Sequence, residues 1–339
     1  MKVKDWVEQI IHVAMSKATE DIHFLPIKDG YQVYLRVAGE LEQYDVLTNE
    51  MGERVIRYLK YMANMDVGEQ RLPQDGSLVM PTPQGELELR LSTITNYRLQ
   101  ESLVIRLLYA NTKRDEPSST MAPEQWEQLF NYCHRKSGLI IFSGPVSSGK
   151  TTTIYQLLSA LYDERPYSIL TMEDPVEIKD ERFLQAEVNE VAGVTYERLI
   201  RSSLRHHPDI LVIGEIRDEE TAHMVMRAAL TGHLVIATVH ARDSIGVLGR
   251  LEELGVTREQ MLQTLLLITS QRLLPGRDRA GRVALFEILT GTMIQTLLLT
   301  HRLPENFCPL NTLLEEAYRD GRISQHTAQS YQVETVVTL

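Results

Sequence analysis

Apolar residues recur at helical spacing from the start of the chain. Val3, Val7, Ile10, Ile11 and Ala14 share one face, which predicts an amphipathic helix over residues 3–18. The period then shortens. Tyr31-Gln32-Val33-Tyr34-Leu35-Arg36-Val37 alternates apolar and polar positions and predicts a strand, with Ala38-Gly39-Glu40 turning into a second strand over 41–46. Helical periodicity returns over 49–64. Residues 77–79 and 86–91 predict a hairpin joined through Pro81-Thr82-Pro83-Gln84-Gly85, and 102–108 carries a third strand signal. A small α+β domain is expected over 1–109. Residues 110–120, Ala-Asn-Thr-Lys-Arg-Asp-Glu-Pro-Ser-Ser-Thr, are polar without an apolar period, and are expected to be a linker or else an irregular stretch within a domain.

The pattern changes again beyond the expected linker. Leu139-Ile140-Ile141-Phe142-Ser143, Ser168-Ile169-Leu170-Thr171-Met172, Ile210-Leu211-Val212-Ile213 and Leu234-Val235-Ile236-Ala237-Thr238-Val239 are short unbroken apolar runs. Strands of that kind, separated by helical segments, belong to a sheet covered on both faces. Residues 121–339 are therefore expected to form an α/β domain with a mostly parallel sheet and a helical C-terminal part.

Composition narrows the classes. A chain of 339 residues is comfortable for two domains. Its formal net charge of -11 disfavours a partner that must be held by neutralising phosphates, so direct specific nucleic-acid binding is not expected. The two cysteines, Cys133 and Cys308, are too few for a disulfide framework or a four-cysteine zinc site. The uncharged stretch 288–300 is shorter than a membrane span. No signal-peptide apolar core follows the charged first turn, and a cytoplasmic location is expected.

The run 139–143 ends at Gly144-Pro145-Val146-Ser147-Ser148-Gly149-Lys150-Thr151, which fits the P-loop pattern in full, and a helical segment follows from Thr152 to Leu161. Glycines let backbone N–H groups wrap phosphates, and the helix N-terminus adds partial positive charge. Lys150 would reach the β- and γ-phosphates, and the Thr151 hydroxyl would ligate Mg2+. Acidic groups stand at two further strand ends, where ligands gather in open α/β sheets. Glu215 follows the run 210–213 and can hold Mg2+ or polarise a water. In Glu173-Asp174-Pro175-Val176-Glu177, Glu173 is the expected general base.

These residues resemble the ATPases of type II secretion and type IV pilus assembly. Met172-Glu173-Asp174-Pro175-Val176-Glu177 looks like the family's aspartate box. Leu-Arg-His-His-Pro-Asp-Ile-Leu-Val-Ile-Gly-Glu-Ile-Arg-Asp, residues 204–218, is similar to its Walker B region. Residues 229–241, with His233 and His240, look like its histidine box. Weaker likeness extends to Asp21-Ile22-His23-Phe24, Gln74-Asp75-Gly76, Gln271-Arg272-Leu273 and Phe286-Glu287-Ile288-Leu289.

The resemblance implies a RecA-like ATPase domain behind a PAS-like N-terminal domain, and ATP with Mg2+ as ligands. Glu173 would activate water, Glu215 would support it, and His240 would sense the γ-phosphate with His233 in the same network. Arg90 and Arg106 match the family's arginine fingers; Arg98 has no clear motif match, and Arg217 resembles the Walker B arginine. A homo-hexamer acting on a polytopic membrane platform protein is implied, placing the chain at the cytoplasmic face of the cell membrane through that partner.

Departures sharpen the likeness. Ser147 stands where most members carry glycine, and Thr151 where most carry serine. Residues 274–282 cross the place of a zinc insert without a cysteine, so no zinc is expected. No additional N-terminal docking domain is expected before the arginine-bearing one. A short, zinc-free form is most similar to the Gram-positive competence pseudopilus ATPases, which implies a role in DNA uptake. Type IV pilus retraction ATPases are also short, but residues 310–323 lack their signature. A RecA-like DNA-translocating ATPase and a non-hydrolysing regulator are the rival classes. The acidic charge opposes the first, and retention of Lys150, Glu173, Glu215 and His240 opposes the second. The histidines His206, His207, His233 and His240 lack partners at zinc-site spacing.

Overall fold

A computed structural model describes residues 2–37, 39–82, 85–108, 122–190, 192–277 and 282–333. The chain divides into two compact units, 1–112 and 113–339. The linker expected over 110–120 lies outside the described residues.

Unit 1 runs α1 (Val3–Ser16), β1 (Asp21–Ile27), β2 (Gly30–Val37), β3 (Glu40–Thr48), α2 (Asn49–Met62), β4 (Gln74–Thr82), β5 (Gly85–Thr95) and β6 (Glu101–Leu108). Its six strands stand in the order β3-β2-β1-β6-β5-β4, every neighbouring pair antiparallel. Alternation explains the core. Ile22 and Phe24, Val33 and Leu35, Leu89 and Leu91, and Leu103 and Ile105 all turn to one face, where α1 and α2 cover them. Trp6 of α1 meets Phe24 edge-on at 5.9 Å between ring centroids. Thr48 caps α2, its hydroxyl accepting from the Met51 amide. The core admits an ion pair, Lys60 Nζ to Glu101 Oε1 at 2.6 Å, and the ammonium also donates to the Glu69 carbonyl.

Strand β1 is absent from the sequence reading. Its alternation is short and crosses Pro26, a residue that demotes a strand signal.

Unit 2 runs α3 (Pro123–Cys133), β7 (Gly138–Ser143), α4 (Lys150–Glu164), β8 (Ile169–Glu173), β9 (Leu184–Glu187), α5 (Tyr196–Ser203), β10 (Ile210–Ile213), α6 (Glu219–Leu230), β11 (Leu234–Val239), α7 (Ser244–Glu253), α8 (Arg258–Thr264), β12 (Leu265–Pro275), β13 (Arg282–Thr290), α9 (Gly291–Thr300), α10 (Leu310–Arg319) and α11 (Gln325–Ser330). Seven strands stand in the order β13-β12-β7-β11-β10-β8-β9. All neighbours are parallel except the edge pair β12–β13.

The unbroken apolar runs are the central strands, and each feeds two cores. Leu139 and Ile141 pack on one face with α6 and α7, while Ile140 and Phe142 pack on the other with α3 and α4. The parallel strands align their C-terminal ends on one edge of the sheet, and the candidate site is built there.

Candidate functional site

The phosphate loop joins β7 to α4. Gly149 caps α4 with φ 83° and has no side chain to accept from the first-turn amides. Amides at such a helix start can donate to an anion. Gly144 has φ 140°, and a Cβ there would stand 2.4 Å from the Gln271 carbonyl oxygen, so only glycine fits. Ser147 holds φ 62°, the left-handed region that its missing glycine would adopt freely.

Lys150 Nζ donates to the Gly144 and Pro145 carbonyls at 2.9 and 3.0 Å, so its ammonium lies over the loop. Burial pushes the Lys150 pKa down, while the charges of Glu215 and Glu177 oppose that shift. Beneath the loop, Ser148 Oγ and Gln271 Oε1 are buried without a hydrogen-bond partner. A glycine-bounded loop at a helix start with a lysine over it fits a polyphosphate.

Glu215 lies two residues beyond β10 and is held from two sides. Arg217 Nε donates to its Oε2 at 2.6 Å, and His240 Nε2 lies 3.3 Å from its Oε1. Arg217 also reaches Asp174 Oδ2 at 3.0 Å, joining the Walker B-like and aspartate-box-like segments. Asp218 then starts α6, its carboxylate accepting from the Thr221 amide at 2.8 Å. His240 follows β11 directly and is half exposed. Thr151 and Thr152 stand in the first turn of α4, Thr152 exposed and Thr151 half-buried. Pro145 and Val146 are exposed on the loop. Thr151 and Glu215 are thus both at the sheet edge where a Mg2+ bound to phosphates would need oxygen ligands.

Two residues stand in other surroundings than expected. Glu173, the expected general base, is not exposed to solvent. It is the last residue of β8 and buried, with Tyr155 donating to Oε1 at 2.5 Å and Thr171 at 2.7 Å. Burial pushes its pKa up, against those two donors. Asp174, paired with Arg217, and Glu177 are the exposed carboxylates of the same segment, and Glu177 is one of two carboxylates whose charge acts on Lys150. Glu177 is the third acid of Glu173-Asp174-Pro175-Val176-Glu177 and lies beyond the strand.

His233 is also not in the His240 network. It precedes β11, whereas His240 follows it, so roughly 20 Å of strand separates them. His233 Nδ1 instead contacts the Ala228 carbonyl at 3.3 Å.

Arg90 and Arg106 lie in unit 1, directly opposite each other on β5 and β6. On its other side Arg106 faces Asp21 of β1, and Asp21 faces Arg36 of β2. Arg106 Nε donates to Asp21 Oδ1 at 2.9 Å, and Arg36 Nε lies 3.6 Å from Oδ2. Like charges opposite one another on a sheet repel, and the buried Asp21 partly offsets this row of three arginines. Arg90 Nη2 lies 3.6 Å from Glu88, and its Nε is buried without a hydrogen-bond partner. Arg98 follows β5, its guanidinium over the Tyr97 ring.

Among the described residues no group of three or more His, Cys, Asp and Glu could hold a metal ion, and residues 278–281 of the expected zinc-free crossing lie outside them. No described helix is long and apolar enough to cross a membrane. Cys133 is buried and free, its thiol pushed up to about 12 by burial.

Comparisons with known proteins agree with this geometry. The family model of the type II/IV secretion system protein matches residues 1–305. Competence protein ComGA of Streptococcus pneumoniae is 43% identical over 274 residues, covering 81% of this chain and 85% of that protein. ComGA of Bacillus subtilis is 39% identical, covering 78% and 74%. The crystal structure of the pilus retraction motor PilT with bound ADP aligns with a TM-score of 0.70 at 26% identity, covering 96% of each chain. The Legionella pneumophila ATPase DotB shares the fold, with a TM-score of 0.76 at 19% identity.

Proposed function

We propose that this chain, which belongs to the type II/IV secretion system protein family, is an ATP-hydrolysing motor that drives assembly of a competence pseudopilus for DNA uptake. The observation that carries the reading is the loop 144–151 beside Glu215 and His240, in a chain 43% identical to a competence protein. The reading keeps a RecA-like ATPase domain and a PAS-like N-terminal domain, ATP with Mg2+, a homo-hexamer and a polytopic membrane platform partner at the cytoplasmic face.

The loop amides and Lys150 hold the phosphates of ATP, and Thr151 with Glu215 serve the metal. Bound Mg2+ supplies charge neutralisation on the β- and γ-phosphates. Glu215 is fixed by Arg217 and His240, so it orients without reorganising. His240 reads the γ-phosphate side of the site. Glu177 rather than Glu173 accepts the proton of the attacking water, because Glu173 is buried and its Oε1 already accepts from Tyr155 and Thr171. Arg90 and Arg106 serve as fingers on an ATP bound by another domain or subunit, a planar guanidinium being suited to charge on a transferring phosphoryl group. Hydrolysis changes the angle between domains, and the ring works on the platform.

Deletion of the gene in its own host tests this. Loss of surface pseudopili and of transformation, restored by the wild-type gene and not by Lys150→Ala, is the expected result. A deletion strain that keeps assembling filaments but cannot withdraw them would support the retraction reading, which the likeness to PilT favours. DNA-stimulated ATP turnover would instead favour a DNA translocase.

A further inference from the structure

The backbone that follows His240 is held at nearly every residue from the strands beside it. Ser143 Oγ of β7 donates to the Ala241 carbonyl at 3.1 Å. The Arg272 guanidinium of β12 donates through Nη2 to the Arg242 carbonyl, and through Nη1 to the Gln271 carbonyl and Ser270 Oγ at 3.1 and 3.2 Å. Asp243 caps α7, accepting from the Gly246 amide at 2.7 Å. Glu287 Oε1 of β13 accepts from the Ser244 amide at 2.7 Å and from its hydroxyl at 2.5 Å. The other oxygen of Glu287 accepts from the Leu310 amide at 2.7 Å, at the first residue of α10.

Arg272 and Glu287 are an expensive choice for these positions. Both are buried, at 7% and 3% exposure. Removing either charge from water costs several kcal/mol after relaxation, so about the same span could be closed more stably by apolar side chains. What a buried guanidinium and carboxylate add is direction: each grips a particular backbone group. Here the gripped groups are the Arg242 carbonyl and the Ser244 amide, two and four residues beyond the histidine. The Arg272 charge also acts on Lys150, which places it beside the phosphate loop.

We propose that Arg272 and Glu287 are positioning residues for His240. They fix the backbone of 241–244 so that the imidazole stays against Glu215, and Glu287 ties the same loop to the start of α10. Arg272 acts at the near end of the loop and Glu287 at the far end, where one carboxylate holds the first residues of two helices. A shift of α10 is therefore transmitted to the histidine loop through a single side chain. The proposal rests on the reading of His240 as the group that senses the γ-phosphate.

The test uses the full chain with Arg272→Gln, Arg272→Lys, Glu287→Gln, Ser244→Ala and His240→Ala. Five quantities are measured: ATP turnover, affinity for fluorescent ADP, the NMR chemical shifts of the His240 imidazole at fixed pH, melting temperature, and hydrogen exchange at the starts of α7 and α10. Arg272→Gln and Glu287→Gln are expected to lower kcat about tenfold or more, the scale of a small misplacement in an active site. ADP affinity stays within about threefold, and the His240 ring signals move. Arg272→Lys restores part of kcat, and Glu287→Gln raises exchange at both helix starts together. Should Glu287→Gln not fold, Ser244→Ala removes one of its bonds and shows the same change at smaller size.

Wild-type turnover and unmoved His240 ring signals in these variants, with His240→Ala impaired, would overturn the proposal. So would a parallel fall of kcat, ADP affinity and melting temperature that Arg272→Lys does not relieve. If His240→Ala itself turns over normally, the sensing role fails, and moved His240 ring signals with faster exchange at the start of α7 in Arg272→Gln still uphold the positioning.

Discussion

Tyr155 donates its phenol hydrogen to Glu173 Oε1 at 2.5 Å, joining the helix that leaves the phosphate loop to the strand that ends in the aspartate-box-like segment. Thr171 donates to the same oxygen at 2.7 Å, and Gln185 Nε2 donates back to the phenol at 2.6 Å. A carboxylate so enclosed is a brace between two elements. Glu177, four residues on and exposed, keeps its carboxylate available.

The two glutamates are therefore expected to behave differently on substitution. Glu177→Gln should leave ATP binding intact and reduce turnover about a hundredfold, the scale of a lost general base. Glu173→Gln should keep more than about a tenth of wild-type turnover, since a neutral side chain of the same shape can hold the brace. Single-turnover measurement with a parallel binding assay decides between them, and the reverse ranking would restore Glu173 as the base.

Stability against pH gives a second reading of the same brace. Burial raises the folded pKa of Glu173 above the ordinary value of 4.5. In the window from that value up to the raised folded one, the folded state binds more protons than the unfolded, so stability falls as pH rises. Glu173→Gln has no proton to lose. The stability of wild type minus that of Glu173→Gln should therefore decline from pH 4.5 upward, measured by denaturant unfolding across a pH series. A difference that grows with pH would contradict a burial-dominated carboxyl.

Ser147 holds a left-handed φ of 62° in the phosphate loop. A non-glycine residue in that region costs about 1 kcal/mol, and a β-branched one more. Ser147→Gly should bind fluorescent ADP as tightly as wild type or up to about fivefold more tightly. Ser147→Val should bind about tenfold more weakly or worse. Equal affinity in all three would mean that the loop leaves this conformation when it binds.

Arg106 faces Arg90 across one ladder and Asp21 across the other. If Arg106 completes a neighbour's site, Arg106→Ala subunits mixed into wild type should depress turnover more steeply than their fraction. Arg106→Lys should not rescue, because an ammonium lacks the planar fork. Activity that falls in proportion to the mutant fraction would confine each site to its own subunit.

The chain exposed some of this more readily than the rest. Unbroken apolar runs identified the central strands β7, β8, β10 and β11, because strands buried on both faces carry no polar alternation. The phosphate loop and Glu215 were legible from spacing. The hairpin of β12 and β13 was not, since Gln271, Arg272 and Glu287 put polar groups at buried positions. Glu173 and Glu177 are equivalent as letters. Only the end of β8, which buries the first and releases the second, separates them. His233 and His240 are close in sequence yet bracket a strand, and a strand carries its two ends apart.

The measurement closest to the central claim is phosphate release from ATP by the purified chain, compared with folded Lys150→Ala. Lys150 lies over the loop and its charge is the one that Glu215 and Glu177 face. Mg2+-dependent turnover is expected in the wild type and none above background in Lys150→Ala at unchanged melting temperature. Turnover by Lys150→Ala at the wild-type rate would contradict it.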